Sequence, residues 1–238
     1  MLLYYITDRT QFPGTEAQRR ERLLARIAEA ARCGVDYIQL REKDLPARDL
    51  EALARDATSI LSEAARAEPL PTCLLINSRS DVALATGVHG VHLRSDDIPA
   101  SDARAIASTV LSRNEKRETR NCLIGVSCHT FAEVQLAESQ GADFAVFGPI
   151  FGKTTGGPAT GLEALRQVCA RGVPADRKIE NVALGRMPVL ALGGVTLENA
   201  FACIDAGAAG VAGIRLFQEN DIAMVSERLR AITIRPVR

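Results

Sequence analysis

Short apolar runs alternate with amphipathic segments along this chain, and the alternation constrains the fold more than any single motif does. Parallel strands covered by helices on both faces read as continuous apolar runs, so the pattern predicts an α/β protein with a parallel sheet. Eight such units close into a (β/α)8 TIM barrel, and we expect one domain over residues 1–238. The predicted strands are residues 3–7, 36–41, 73–77, 89–93, 122–126, 143–147, 188–192 and 208–212.

Helical periodicity appears between most of these runs, and residues 79–86 are the exception. An open, doubly wound sheet is the alternative architecture. That fold usually places a G-x-G-x-x-G loop after its first strand, whereas this chain has Asp8-Arg9-Thr10 there, so the barrel is favoured. The predicted helices are residues 17–31, 47–65, 130–140, 161–170 and 196–206.

Glycine marks three predicted junctions between a helix and the next strand, at Gly34, Gly141 and Gly207. Glycine accepts the left-handed conformation that ends many helices, so we expect all three to be helix caps. Two polar intervals, 114–121 and 171–186, precede predicted strands. They are expected to be solvated insertions on the N-terminal face of the barrel.

The composition excludes several functional classes. The chain has a formal net charge of +0, 4% aromatic residues and no Trp. It therefore has neither the positive electrostatic field nor the aromatic stacking surface that nucleic acid binding needs. No apolar run approaches the roughly 18 residues of a membrane span. The six cysteines show no C-x-x-C spacing, and the N-terminus lacks the pattern of a signal peptide. We therefore expect a cytoplasmic protein with no membrane or nucleic acid partner.

The most informative local segment is Tyr37–Asp44, in which an apolar strand leads into two cations. Alternation along the strand places Gln39, Arg41 and Lys43 on one side. A guanidinium fork beside a compact ammonium group suits a diphosphate whose negative charge grows as it leaves. The alternative is an ordinary solvated strand end.

Polar residues also follow the other predicted strands, where a barrel builds its active site. The Gly193-Gly194 pair and the Gly213–Arg215 turn follow strands seven and eight, where barrels often bind phosphate; a helix-packing turn is the alternative for the glycine pair. A mobile lid is expected at residues 148–157. The remaining residues of this rim are Asn77, Ser78, Arg79, Arg94, Ser95, Asp96, Asp97, Ser127, Cys128 and His129.

Asp96 and Asp97 have two interpretations. They are either a charge pair favoured by the dipole of the helix that starts near Ala100, or carboxylate ligands of Mg²⁺ on a diphosphate. His129 is either a functional residue or a cap of the next helix. His89 and His92 are interpreted as packing residues.

With these residues assembled, the chain resembles the thiamine phosphate synthase and thiazole tautomerase superfamily of (β/α)8 barrels over nearly its whole length. The motifs that carry the resemblance are Tyr4-Tyr5-Ile6-Thr7-Asp8, Tyr37-Ile38-Gln39-Leu40-Arg41-Glu42-Lys43, Leu75-Ile76-Asn77, Asp81-Val82-Ala83-Leu84-Ala85, Gly90-Val91-His92-Leu93, Ile124-Gly125-Val126-Ser127-Cys128-His129-Thr130, Phe147-Gly148-Pro149-Ile150-Phe151, Gly161-Leu162-Glu163 and Leu192-Gly193-Gly194-Val195.

The resemblance implies that hydroxymethylpyrimidine diphosphate is joined to a thiazole phosphate with release of diphosphate, by a dissociative mechanism that uses Mg²⁺. It assigns catalysis to Arg41, Lys43, Ser127 and Lys153, and metal binding to Asp97, with Ser78 and Asp96 beside it. The substrate-binding residues that it implies are Gln39, Leu40, Arg41, Glu42, Lys43, Asn77, Ser127, His129, Lys153, Gly193, Gly194, Ile214 and Arg215. A homodimer is a further expectation.

The chain departs from the synthase pattern at a few positions. Ser78 stands where a second metal carboxylate is usual, Arg94-Ser95 replaces Gly-Gln, the lid around Lys153 is shorter, and Arg215 replaces a small hydroxyl residue. Two alternatives therefore accompany the synthase. One is a thiazole tautomerase that uses a histidine near His129 for proton transfer, and the other is a non-catalytic phosphate-sensing barrel.

Overall fold

Eight parallel strands form a closed barrel in chain order, which confirms the predicted (β/α)8 architecture. The computed structural model describes residues 1–65, 72–112, 122–152, 159–170 and 186–232. The strands are β1 Leu2–Ile6, β2 Tyr37–Leu40, β3 Cys73–Asn77, β4 Gly90–Leu93, β5 Leu123–Cys128, β6 Phe144–Phe147, β7 Val189–Leu192 and β8 Gly210–Gly213.

Helices cover the outside of the barrel. Buried side chains such as Leu23 of the first helix and Leu53 of the second share one apolar core with the outward strand residues Ile38 and Leu40. The helices are α1 Glu16–Arg32, α2 Ala47–Ala64, α3 Ser80–Thr86, α4 Ala100–Ser112, α5 Phe131–Ser139, α6 Gly161–Ala170, α7 Ala200–Asp205, α8 Arg215–Gln218 and α9 Ile222–Arg230, and a 3-10 turn spans Arg9–Gln11.

Two helices differ from the prediction. Residues 79–86, which lack clear helical periodicity, contain the short helix α3, because Val82 and Ala83 are buried and Gly87 ends the helix in the left-handed conformation (φ 69°). Helix α7 is shorter than predicted, since Thr196 and Asn199 form a turn in which the Thr196 amide donates to Asn199 Oδ1 at 2.8 Å. The polar interval 114–121, and residues 171–185 of the interval 171–186, lie outside the described residues.

The predicted glycine caps are confirmed. Gly34, Gly141 and Gly207 have φ of 70°, 75° and 97°. Each precedes a strand, so these residues set where β2, β6 and β8 begin.

Strand β5 continues two residues further than predicted, to Cys128. Because side chains alternate along a strand, Ser127 faces the barrel interior with Gly125, whereas Cys128 joins the outer core. Ser127 is therefore a residue of the barrel interior and not of a loop.

Aromatic rings fill the interior of the barrel towards its N-terminal end. Tyr37 and Phe144, the first residues of β2 and β6, are stacked with ring centroids 5.0 Å apart, and Tyr4 meets Phe144 edge to face at 5.4 Å. Leu75, Val146 and Leu190 complete this inner cluster. No helix within the described residues is long and apolar enough to span a bilayer.

Candidate active site

Four polar side chains from neighbouring strands lie inside the C-terminal half of the barrel. Gln39 Nε2 donates to Asn77 Oδ1 at 2.9 Å, and His92 Nε2 lies 2.8 Å from Ser127 Oγ. Residue pairing places Asn77 opposite His92 and His92 opposite Gly125, so β3, β4 and β5 bring these groups together. We call Gln39, Asn77, His92 and Ser127 the polar layer.

His92 is buried and neutral. Its Nδ1 lies 3.1 Å from the Tyr4 hydroxyl, so both ring nitrogens have hydrogen-bond partners. The pKa of His92 is lowered to about 3, mainly by burial; the negative charge of Asp97 acts to raise it, and the positive charge of Arg41 acts to lower it. The interpretation of His92 as a packing residue is therefore incomplete, because it contacts Ser127 at the floor of the site.

The turn after β2 carries Arg41 and Lys43 and is held in place by a buried ion cluster. The Arg41 amide donates to Thr7 Oγ1 at 3.0 Å, and the Thr7 hydroxyl donates to Glu42. Arg9 Nη1 lies 3.1 Å from Glu42 Oε2, and the two terminal nitrogens of Arg9 donate to the Asp44 carboxylate at 2.7 and 2.8 Å. We call Arg9, Glu42 and Asp44 the Arg9 cluster.

Glu42 is buried, unlike the two cations Arg41 and Lys43 on either side of it. Its side chain is 1% exposed, and its carboxylate oxygens accept from Thr7 and Arg9. Leu40 is also fully buried, in the outer core. A direct substrate contact by the carboxylate of Glu42 stays a prediction, whereas its contacts within the protein fix the turn that presents Arg41 and Lys43.

A pocket of about 250 Å³ opens at the C-terminal end of β2, β3 and β4. It brings together residues that are far apart in the sequence and that were predicted to share a rim. Its lining residues are Leu40, Glu42, Lys43, Leu45, Leu50, Asn77, Ser78, Arg79 and Arg94. Arg79 is held by Asp81 through two hydrogen bonds of 2.8 and 2.6 Å.

Asp97 lies beside this pocket and is paired with Arg94. The Arg94 amide donates to Asp97 Oδ2 at 2.7 Å, and the guanidinium reaches Asp97 Oδ1 at 3.1 Å through Nη2. Arg94 Nε is also 3.4 Å from Asp96, whose side chain is 70% exposed. We call Arg94, Asp96 and Asp97 the Arg94 cluster.

Ser78 joins the Arg94 cluster to the polar layer. Its amide donates to the His92 carbonyl at 2.8 Å, and its hydroxyl is bonded to Asp97. Its φ is 60°, an uncommon conformation for a residue with a side chain and one that concentrates at functional sites. Burial acts to raise the pKa of Asp97, but the Arg94 amide, the Ser78 hydroxyl and the Arg94 guanidinium together hold it below its ordinary value.

The opposite side of the barrel mouth contains His129 and the glycine pair. His129 Nδ1 lies 2.5 Å from the carbonyl oxygen of Gly148. Gly193 and Gly194 have φ of 97° and 67°, and a Cβ on Gly194 would lie 2.8 Å from Phe151. Close packing therefore explains why glycine occupies these positions. Within the described residues, the amide N–H groups of the pair make no hydrogen bond and remain available to a ligand.

The remaining predicted residues complete this side. Ile214 packs against the inner cluster, and Arg215 is exposed at the first position of α8. Lys153 lies outside the described residues. No group of three or more His, Cys, Asp or Glu side chains in the described ranges is placed to hold a metal ion.

The fold and this pocket define a class: (β/α)8 barrels with a cation-rich site at the C-terminal ends of the strands. Residues 3–217 match the family model of thiamine monophosphate synthase, and the chain belongs to that family.

Named relatives agree with this assignment. The chain is 39% identical to a putative thiamine-phosphate synthase of Geobacter sulfurreducens, over 88% of this chain and 83% of that protein. It is 35% identical to a thiamine-phosphate synthase of Methanoculleus marisnigri, over 96% and 93%. A solved thiamine phosphate pyrophosphorylase from Pyrococcus furiosus matches with a TM-score of 0.72 and 28% identity, covering 97% of this chain and 94% of that structure.

Sequence reasoning missed the roles of His92 and Arg9. For His92 a signal was available, because alternation in β4 turns Val91 and Leu93 outward and therefore turns His92 into the barrel. For Arg9 there was none, since its partner Glu42 lies 33 positions away in the sequence.

Proposed function

We propose that this protein is a thiamine phosphate synthase that joins hydroxymethylpyrimidine diphosphate to a thiazole phosphate. The observation that carries the proposal is the convergence of Lys43, Asn77 and Arg94 on one pocket above the polar layer, in a chain of this family. The Gln39 and Asn77 amides suit the donors and acceptors of an aminopyrimidine ring, and Arg41 and Lys43 suit its diphosphate.

The chemistry needs little acid or base catalysis. The bond between the pyrimidine methylene carbon and the diphosphate oxygen breaks, and its electron pair leaves with diphosphate. The lone pair of the thiazole nitrogen then forms the new carbon–nitrogen bond. Arg41, Lys43 and Ser127 stabilise the charge that develops on the leaving group, and Lys153 is proposed to join them. Neutral His92 orients the Ser127 hydroxyl.

Mg²⁺ is proposed as the counter-ion of the diphosphate. Once the Arg94 guanidinium has left it, the Asp97 carboxylate would offer one charged oxygen ligand and the adjacent Ser78 hydroxyl one neutral ligand, whereas Asp96 is turned towards Arg94. This set fits a metal that stays mainly on phosphate oxygens and water, which is how Mg²⁺ commonly binds at such sites. When bound, the ion neutralises part of the negative charge of the leaving group.

The thiazole phosphate is proposed to bind on the opposite side of the mouth. The N–H groups of Gly193 and Gly194 and the exposed guanidinium of Arg215 are suitable donors, with Ile214 packed beside them. A cytoplasmic location and a homodimer remain predictions.

Incubation with both substrates and Mg²⁺, followed by detection of thiamine phosphate, tests the proposal. Arg41→Ala removes charge-assisted contacts worth about 1.5–3 kcal/mol each, so we expect kcat/KM to fall about a hundredfold or more. The matched control is Arg55→Ala on the outer face of α2, where a 58% exposed arginine pairs with Glu51. Unchanged turnover of Arg41→Ala would reject the diphosphate grip.

One observation favours thiazole tautomerase as a second candidate. A carbonyl oxygen only accepts hydrogen bonds, so His129 Nδ1 carries the proton towards Gly148 and leaves Nε2 as the basic nitrogen. Incubation with a carboxylated thiazole phosphate alone, followed by NMR of the ring isomers, separates the candidates. Isomerisation that His129→Ala ends, without any thiamine phosphate from the synthase substrates, would select the tautomerase.

A further inference from the structure

Arg94 lines the proposed diphosphate pocket, and part of its guanidinium is hydrogen-bonded to the protein. Two nitrogens of its guanidinium, Nε and Nη2, contact Asp97 and Asp96, and the side chain is 50% exposed. Within the described residues, Nη1 has no hydrogen bond. Arg94 therefore presents an unused donor edge on the same pocket as Lys43 and Asn77.

The same contacts limit what Asp97 can offer to a metal ion. Its two oxygens already accept from the Arg94 amide, the Arg94 guanidinium and Ser78. A Mg²⁺ ion at about 2.1 Å from Oδ1 would have to displace a guanidinium that is 3.1 Å from that same oxygen. Ser78, which is bonded to Asp97, is neutral. The carboxylates of Asp96 and Glu42 near the pocket are paired with Arg94 and Arg9 respectively.

We propose that Arg94 is a diphosphate-binding residue that supplies, from the protein itself, part of the positive charge that a bound metal would otherwise provide. When the substrate enters, the guanidinium turns its donor fork from Asp97 to the phosphate oxygens. Binding of diphosphate then depends only weakly on Mg²⁺. The inference rests on the proposed synthase function, because it takes diphosphate as the ligand of this pocket.

The exchange of partners is energetically reasonable. The pair of Arg94 with Asp96 is exposed and stabilises the protein little, so breaking it costs little. Asp97 is 13% exposed, but it keeps the hydrogen bond from the Arg94 amide when the guanidinium moves away. Arginine binds phosphate oxygens through a planar fork of two donors, and such charge-assisted bonds are roughly twice as strong as neutral ones. The Asp97 carboxylate that is released becomes available to water or to a metal that accompanies the substrate.

Calorimetric titration with inorganic diphosphate, in EDTA and again in Mg²⁺, tests the inference without turnover. We expect the wild-type dissociation constant in EDTA to lie within about tenfold of its value in Mg²⁺, and Arg94→Gln to weaken binding in EDTA by about tenfold to a hundredfold. Arg94→Lys keeps the charge without the fork and should lie between the two. Arg55→Gln, on the outer face of α2, is the control.

The metal side of the inference has its own readout. In Arg94→Gln combined with Ser78→Asp, the carboxylates at positions 78 and 97 are no longer paired with the Arg94 guanidinium, so binding of Mn²⁺ measured by EPR should be at least about tenfold tighter than in wild type. Equal affinity of wild type and Arg94→Gln for diphosphate in EDTA would overturn the inference. So would a wild-type protein that binds diphosphate only with Mg²⁺. If Arg94 governs diphosphate binding but no thiamine phosphate forms, the proposed function alone fails.

Discussion

The Arg9 cluster and the Arg94 cluster flank the same pocket and use the same residue types in different surroundings. In the first, the side chains of Arg9 and Glu42 are 4% and 1% exposed, and Asp44 at 58% is the exposed member. In the second, those of Arg94 and Asp96 are 50% and 70% exposed, and Asp97 at 13% is the buried member. A buried charge that loses its partner is costly, but an exposed pair can exchange partners with water or a ligand. The Arg9 cluster therefore holds the turn after β2 in place, whereas the Arg94 guanidinium is able to exchange its partner.

The difference follows from what each cluster contacts. Thr7 links the Arg9 cluster to the backbone of Arg41, so four residues hold one short turn. The Arg94 cluster lies within four consecutive residues after β4 and is tied to the rest of the site mainly through Ser78. A fixed turn keeps Arg41 and Lys43 preorganised for the negative charge that develops on a leaving group.

Arg9→Met tests the fixed side of the comparison and should have the largest effect. The substitution leaves Glu42 buried without its cation, so we expect the free energy of unfolding to fall by about 3–5 kcal/mol, measured by urea titration. The double variant Arg9→Met with Glu42→Leu removes both charges and should recover most of the loss. A single variant as stable as wild type would show that the Arg9 cluster does not anchor the turn.

His92 extends the comparison to a buried neutral group between the two clusters. Its pKa is about 3 in the folded protein and about 6.5 in an unfolded chain, so the unfolded state binds the proton as the pH falls. Stability from this residue is fully present above pH 6.5 or so and is lost as the pH drops towards the folded pKa. Between pH 7 and pH 5 we expect a loss of about 2 kcal/mol.

Urea titrations at several pH values measure this loss, and His92→Asn should remove its contribution to the slope. NMR gives an independent check, since the ring signals of His92 should not titrate between pH 5 and pH 8. A titration midpoint near 6 for this ring would contradict the buried, neutral state of the polar layer.

Arg94→Gln should have the smallest effect on stability. Its pair with Asp96 is exposed, and Asp97 keeps the hydrogen bond from the backbone amide of residue 94, so the free energy of unfolding should change by less than about 0.5 kcal/mol in the same titrations. Together with the loss of diphosphate binding expected for this variant, that result would separate a ligand-responsive residue from a structural one. A loss of unfolding free energy comparable to that of Arg9→Met would show that the Arg94 cluster is as important for stability as the Arg9 cluster.

Much of the fold was predictable because it depends on local patterns. All eight strands were located to within two residues at each end, since continuous apolar runs and glycine caps are properties of short stretches of sequence. The rim residues Lys43, Asn77 and Arg94 were likewise predicted to meet, because a parallel barrel brings all its strand ends to one face.

The rest of the site could not be predicted, because it depends on which side chains meet across the fold. Glu42 is buried against Arg9, and Arg94 pairs with Asp97. The sequence contains many other residues of opposite charge, so it does not indicate which of them become partners. Ser127 was predicted to lie beyond β5, because the polar Ser127-Cys128 pair is typical of a strand end. In the structure Ser127 pairs with Val146 of β6, and this pairing extends the strand. Assignments at Lys153 stay predictions.

The packed rings of Tyr4, Tyr37 and Phe144 close the barrel below the polar layer. A molecule bound above them has no route through the barrel, so it enters and departs at the rim where the cations lie. If the pyrimidine occupies the deeper position, it must arrive before the second substrate covers it. The product must then leave through the same opening before another cycle begins. Substrate entry and product release therefore share one opening of the barrel.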